Sequence, residues 1–259
     1  MKALKKVYFY LVLLFLYAPI LTLVVFSFND AKSRGRWGGF SLRWYQELFR
    51  SSDTMDALLT TVLVALCAAV ISTILGTISA LALHKSGTFF RKSMLNLTYL
   101  PMMNSDIVTG VSLMLLFTFM HLELGFLTLL LSHITFCIPY VILAVMPKLY
   151  GINQNVYEAA LDLGATQMEA YRKIILPDIL PGIISGFLIS VTLSIDDFVI
   201  SFFNTGNGIK NISILVYSSK TGVKPENYAL SAIMFGAVLV LLLIINLKEK
   251  KKVIEESGK

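Results

Sequence analysis

The chain has 259 residues, of which 56% are hydrophobic and only 15% charged, with a formal net charge of +6 and a mean hydropathy of +0.74. Soluble domains carry about 25% charged residues, so an ordinary water-facing surface is excluded and a lipid-facing one is expected. The basic excess does not point to nucleic acid, because the aromatic residues lie inside apolar runs and not along a basic stripe on a soluble domain.

Six apolar stretches follow one another at about 7–28, 57–83, 95–120, 126–146, 178–203 and 227–247. Each is near the length that crosses roughly 30 Å of hydrocarbon at 1.5 Å per residue. The expected fold is therefore all-α, a single polytopic membrane domain over 1–259 with six transmembrane helices. Lys2, Lys5 and Lys6 precede the first stretch as in a secretory signal. That stretch nevertheless exceeds a signal core, and no small-x-small site follows it, so it reads as a retained span. Trp44, with Tyr45 beside it, suits an interfacial anchor. Cys67 and Cys137 lie in apolar runs with no close partner and read as small core residues. Pro101 and Asn104 interrupt the third stretch, and Asp106 just after them suits the cap of a resumed helix. Met102, Met103 and Met114 read as core fillers. A tight turn is expected near His121–Gly125. His133 reads as a hydrogen-bonded packing residue, and His84, His121 and His133 show no metal spacing. No metal site or cofactor is expected. Asp196 and Asp197 lie about 19 residues past Pro177, near the far end of span five, and Gly206-x-Gly208 suggests a turn.

Lysine and arginine placement gives the expected orientation. With the N-terminus in the cytoplasm, 14 of the 22 basic residues fall in inside segments and 8 in outside ones, so both termini are expected inside. The first outer segment dissents, with Lys32, Arg34, Arg36, Arg43 and Arg50. The Lys-rich tail from Lys248 reads as a positive-inside anchor.

The longest inside segment, 147–177, is expected to carry structure of its own. Asn153 or Asn155 suits the cap of a short helix with Glu158 in its first turn. Gly164 suits the position that ends it, and Pro177 suits the first turn of span five. A helix–turn–helix with small Ala159 and Ala160 on one face fits a groove on a partner protein; an amphipathic loop on the membrane surface is the plainer alternative. No phosphate loop is present. Gly87 with Arg91-Lys92-Ser93 lacks the second glycine before the lysine, so any ATP hydrolysis is expected from another chain.

Glu158-Ala159-Ala160, Gly164, Ile174, Leu176 and Pro177 together resemble the EAA signature of bacterial ABC importer permeases at every motif position. The resemblance implies a type I importer permease fold, in which this segment is the coupling helix that docks on the ATPase subunit. The chain as a whole resembles the spermidine/putrescine permease subunits, the PotC-like family. Arg43-Trp44-Tyr45, the run from Pro101 through Asp106, Leu131 to Pro139, Arg172 to Pro177 and Leu193-Ser194-Ile195-Asp196-Asp197 carry that likeness. It implies a pair of ATPase subunits, a homologous second permease, an extracytoplasmic substrate-binding protein and membrane lipid as partners. It also implies a bacterial inner-membrane location and a polyamine pathway that includes Trp44, Asp106, Ser194, Asp196 and Asp197.

The residue chemistry agrees with a cation. An Asp at mid-membrane costs about 2.5–3.5 kcal/mol and usually marks a substrate path. A polyamine wants spaced carboxylates and aromatic faces, whereas sulfate or molybdate would be repelled. For Asp196 and Asp197 a solvated span end remains the structural alternative. Two rival function classes are a stand-alone secondary transporter, which gives the EAA segment no task, and a membrane-bound enzyme, for which no nucleophile–base pair or metal cluster is found. Within the permease class, another cation or a small organic solute is the alternative substrate.

Overall fold

The structure is a computed structural model that describes residues 2–31, 36–206, 208–218, 226–236 and 239. Regular structure among these residues is helical, apart from an isolated β-bridge between Asn29 and Phe40. The chain divides into two compact units, Met1–Met55 with Val216–Lys259, and Asp56–Leu215.

The first unit opens with α1 (Lys2–Phe26). This helix is apolar all round, and none of its most apolar window is buried, as expected for a helix facing lipid. Past it, the buried Asn29 organises the chain. Its amide donates to Arg36 O at 2.8 Å and accepts from Gly38 N at 2.7 Å, while its carbonyl accepts from Trp44 Nε1 at 2.6 Å. That last bond fixes the short helix α2 (Arg43–Arg50).

The second unit is built from α3 (Ser52–Lys85), α4 (Thr88–Met103), α5 (Asp106–Phe119), α6 (Phe126–Tyr150), α7 (Gln154–Asp162), α8 (Gln167–Ala170), α9 (Leu176–Asp196), α10 (Val199–Asn204) and α11 (Ile212–Tyr217); α3 begins and α11 ends across its border. Its axis is α6, which is more deeply buried than α3 or the run Gln167–Asp196 that ends in α9. Ala80, Val141, Val145, Leu149, Ile175 and Ile179 form the apolar centre. The approach of α9 to α6 is set by small residues four apart, Gly182, Gly186 and Ser190, which share one helix face. A Cβ at Gly182 would stand 2.9 Å from Ala144 O, and one at Gly186 3.2 Å from Val141 Cα. Between apolar helices in lipid, such close packing replaces the missing hydrophobic drive.

Among the described residues, four helical runs are long and apolar enough to cross a bilayer: Lys5–Phe26, Ser52–Lys85, Phe126–Tyr150 and Gln167–Asp196. The third expected span, 95–120, is not one helix. It divides into α4 and α5, bent by 104°. Asn104 and Ser105 are extended, with ψ of 155° and 140°, and Pro101 just before them weakens the ladder by lacking an N–H. The fifth, expected over 178–203, stops at Asp196, and α10 begins separately at Val199. The sixth, 227–247, lies largely outside the described residues; 226–236 are helical. Met103 is 82% exposed and so is not a core filler, because it sits at the open end of α4.

Candidate functional site

Two groups of residues flank α9. The first fills the expected 147–177 segment. Asn153 caps α7, its side chain accepting from Asn155 N at 3.1 Å. Gly164 ends α7 at φ +90°. Its N–H bonds Leu161 O at 2.9 Å and that of Ala165 bonds Ala160 O at 3.0 Å, the paired 5→2 and 6→1 closure that needs a left-handed residue. Thr166 and Glu169 then cap α8 reciprocally, Thr166 N to Glu169 Oε2 at 3.0 Å and Glu169 N to Thr166 Oγ1 at 3.3 Å.

From α8 the helix continues through a π-turn, Tyr171–Ile175, into α9, with Leu176 N bonded to Tyr171 O. Pro177 explains the wider turn, since in a regular helix its ring would meet the carbonyl of Lys173, four residues back. The motif residues split by face. Glu158, Ala159, Gly164, Leu176 and Pro177 are exposed, while Ala160 and Ile174 are half-buried. Beside them Leu163 is 89% and Met168 68% exposed, so an apolar edge of this segment is left uncovered by the described residues.

The second group closes the Asp196 end of α9. Asp197 is buried and accepts from Ile200 N at 3.1 Å, Ser201 N at 2.8 Å and Ser201 Oγ at 2.9 Å, which caps α10. The one hydrogen of Ser201 Oγ goes to Asp197, so that oxygen accepts from Asn211 Nδ2 at 2.8 Å and from His133 Nε2 at 3.0 Å. Nε2 of His133 therefore carries a hydrogen, and in the neutral ring Nδ1 accepts from the Ser194 hydroxyl at 2.7 Å. Asn204 extends the network, donating to Gly110 O on α5 at 3.1 Å, while its backbone carbonyl accepts from Thr128 Oγ1 on α6 at 2.8 Å. Ile212 N donates to Thr61 Oγ1 on α3 at 2.9 Å. His133 is thus the hydrogen-bonded packing residue expected of it. Gly206 and Gly208 both have positive φ, +65° and +101°, and Asn207 between them, on which the expected turn depends, lies outside the described residues.

The five expected pathway residues fall into two classes. Asp106 and Asp196 are exposed, and among the described residues neither forms an ion pair. Asp106 is the first residue of α5, after Ser105, and no side-chain cap bond forms there, so the capping alternative has no hydrogen bond to support it. Ser194 and Asp197 are instead buried in the His133 network, and their oxygens are occupied. Trp44 is 2% exposed, its indole nitrogen is bound to Asn29, and Arg43 covers its ring at 5.1 Å. In this conformation those three offer a solute nothing. Sequence reasoning missed Thr61, Ser201, Asn204 and Asn211; the signal was the run of polar residues from Ser194 to Asn211 inside an apolar region.

The family described as binding-protein-dependent transport system inner membrane component matches residues 72–247, which contain the first group and all of the second except Thr61. The chain belongs to that family. This inner-membrane component is 39% identical over 249 residues to the spermidine/putrescine transport system permease protein PotC of Haemophilus influenzae, covering 96% of this chain and 97% of that one. It is 42% identical over 232 residues to the putrescine transport system permease protein PotI of Escherichia coli K12, covering 86% and 83%. Among solved structures it is similar to a bacterial ABC transporter involved in the import of the acidic polysaccharide alginate, with a TM-score of 0.71, 18% identity and coverage of 96% and 93%. At that identity the likeness is one of fold. As an inner-membrane component with several apolar helices, the chain is a multi-pass membrane protein and a transport subunit.

Proposed function

We propose that this chain is the permease subunit of an ATP-driven importer that carries a polyamine, spermidine or putrescine, into the cytoplasm. The observation that carries the reading is the pair of exposed carboxylates, Asp106 and Asp196, on apolar helices and without a cationic partner among the described residues. Such a charge within a membrane segment is costly unless it faces a cavity and meets a cation. Relatives named for spermidine and putrescine supply the cation.

In this reading the two carboxylates contact the ammonium groups of the solute. Ser194 and Asp197 support the path from behind through His133, and Trp44 fixes the entry to α2. Glu158, Ala159, Ala160, Gly164, Ile174, Leu176 and Pro177 form the coupling segment. Its exposed edge docks on one of a pair of ATPase subunits, which supply the hydrolysis. A homologous second permease completes the path through the lipid, and an extracytoplasmic binding protein delivers the solute. Both termini lie in the cytoplasm.

The test is ATPase activity of the reconstituted complex with its binding protein against spermidine, putrescine, sulfate and an amino acid. Stimulation by the polyamines alone is expected, reduced at least tenfold in Asp106→Asn, since a desolvated ion pair and its loss span more than ~1.4 kcal/mol. Stimulation by sulfate, or an unaltered response in Asp106→Asn, would discard the cationic path. Gly164→Asp is expected to leave the protein in the membrane and abolish uptake, because it places a carboxylate at the negative end of α7 on the docking edge.

A further inference from the structure

The turn between α3 and α4 is fastened to two aromatic rings. Nζ of Lys85, the last residue of α3, stands 4.4 Å from the centre of the Tyr171 ring. The Arg91 guanidinium stands 5.8 Å from that of Tyr150, the last residue of α6. Tyr171 opens the π-turn, and its ring meets that of Tyr157 on α7 edge-on, at 5.6 Å and 64°. A line of directional contacts therefore runs from α7 through Tyr171 to the end of α3, a helix of 34 residues. Behind this line is a cavity of about 450 Å³ lined by residues that include His84, Lys85, Leu149, Tyr157, Glu158 and Tyr171. Nδ1 of His84 is buried with no hydrogen-bond partner among the described residues, so this joint is not closed as tightly as the His133 network.

We propose that Lys85 is a positioning residue of the transport cycle, whose ammonium on the Tyr171 ring passes displacement of α7 to α3. The inference rests on the reading of α7 as the coupling helix. Motion of α7 reaches α9 through the chain itself, by way of α8 and the π-turn. Among the described residues it reaches α3 through side-chain contacts. The apolar contacts there, with Ala80 and Leu83 in the same cluster as Tyr157 and Tyr171, are non-directional and permit sliding. A cation held over a ring face is directional, and the cavity gives the aromatic pair room to move without breaking it.

The experiment measures solute imported per ATP hydrolysed by the full complex in proteoliposomes. Lys85→Met and Tyr171→Leu are each expected to lower that ratio about two- to five-fold, the range set by a cation–ring contact. Lys85→Arg and Tyr171→Phe, which keep cation and ring, are expected to hold the wild-type ratio. The double variant Lys85→Met/Tyr171→Leu is expected to be no worse than either single. Wild-type ratios in both singles, equal losses in the conservative variants, or additive losses in the double would each overturn the role of Lys85. Gly164→Asp run alongside separates the failures. If it abolishes uptake while Lys85→Met is silent, only the joint is wrong. If it transports normally, the coupling reading falls and takes the joint with it.

Discussion

At the Leu176 end of α9 the preceding segment is held by bonds between near neighbours in sequence, Asn155 to Asn153, Glu169 to Thr166 and Ala165 to Ala160. At the Asp196 end the short bonds of Asp197 are joined by others that link residues 61 to 151 positions apart, His133 to Ser194, Ser201 to His133, Gly110 to Asn204 and Thr61 to Ile212. The first end leaves an apolar edge exposed; the second encloses its polar atoms. The contrast teaches what each end is suited to do. A segment closed by its own caps takes few hydrogen bonds from its neighbours, and is able to move as a body or to dock on a partner. A network drawn from α3, α5, α6, α9, α10 and the start of α11 moves only if six helices move together, so it suits a fixed abutment beside the path.

The sharpest way to break this comparison uses two adjacent residues. Asp197→Ala leaves Ile200 N, Ser201 N and Ser201 Oγ without their acceptor inside the protein, and each buried group so orphaned costs about 1–3 kcal/mol. The expected loss is on the order of 3 kcal/mol, read as a lower melting temperature of the purified protein in detergent. Asp196→Ala, one residue earlier and exposed, is expected to change stability by about 0.5 kcal/mol or less while impairing uptake. Equal melting losses at the two positions would show that the buried network is no more constrained than the surface beside it. Next in size is Gly186→Leu, midway along α9. A Cβ there already stands 3.2 Å from Val141 Cα, and overpacking of this kind costs about 1–3 kcal/mol. Gly164→Leu, which adds a similar side chain where nothing lies within 4 Å of a Cβ, is expected to spare global melting and disturb only the end of α7.

Most of the Leu176 end was legible in the sequence because its determinants are local. Asn153, Gly164 and Pro177 each do there what their chemistry dictates at short range, whatever surrounds them. The apolar stretches, and with them the all-α class, were legible for the same reason. The break at Asn104 was foreshadowed by Pro101 but not its 104° bend, which depends on what α5 packs against. The Asp196 end was opaque. Asp106, Asp196 and Asp197 look alike in sequence, and only the partners brought from α6 and from beyond α9 divide one buried cap from two exposed carboxylates. Trp44 was read by its residue type as an edge anchor, whereas Asn29, 15 residues earlier, draws it inside. The Gly182–Gly186–Ser190 face went unread, because such a spacing has no meaning until Val141 and Ala144 lie against it.

The smallest effect tests whether the Leu176 end is as self-contained as its short bonds imply. Asn153→Ala removes the α7 cap, which is worth about 1 kcal/mol. If α7 opens as its own unit, that loss falls on local opening alone, and hydrogen exchange of the α7 amides is expected to rise about fivefold. Global melting should stay within measurement of wild type, because none of the long-range bonds at the far end of α9 involves this segment. Uptake should fall by less than the exchange rates rise: docking on the partner selects the folded form of α7, and its binding free energy offsets a small opening penalty. A fall in global melting comparable with that of Asp197→Ala would show that α7 is cooperative with the bundle, and the division of the two ends of α9 into mobile and fixed would fail.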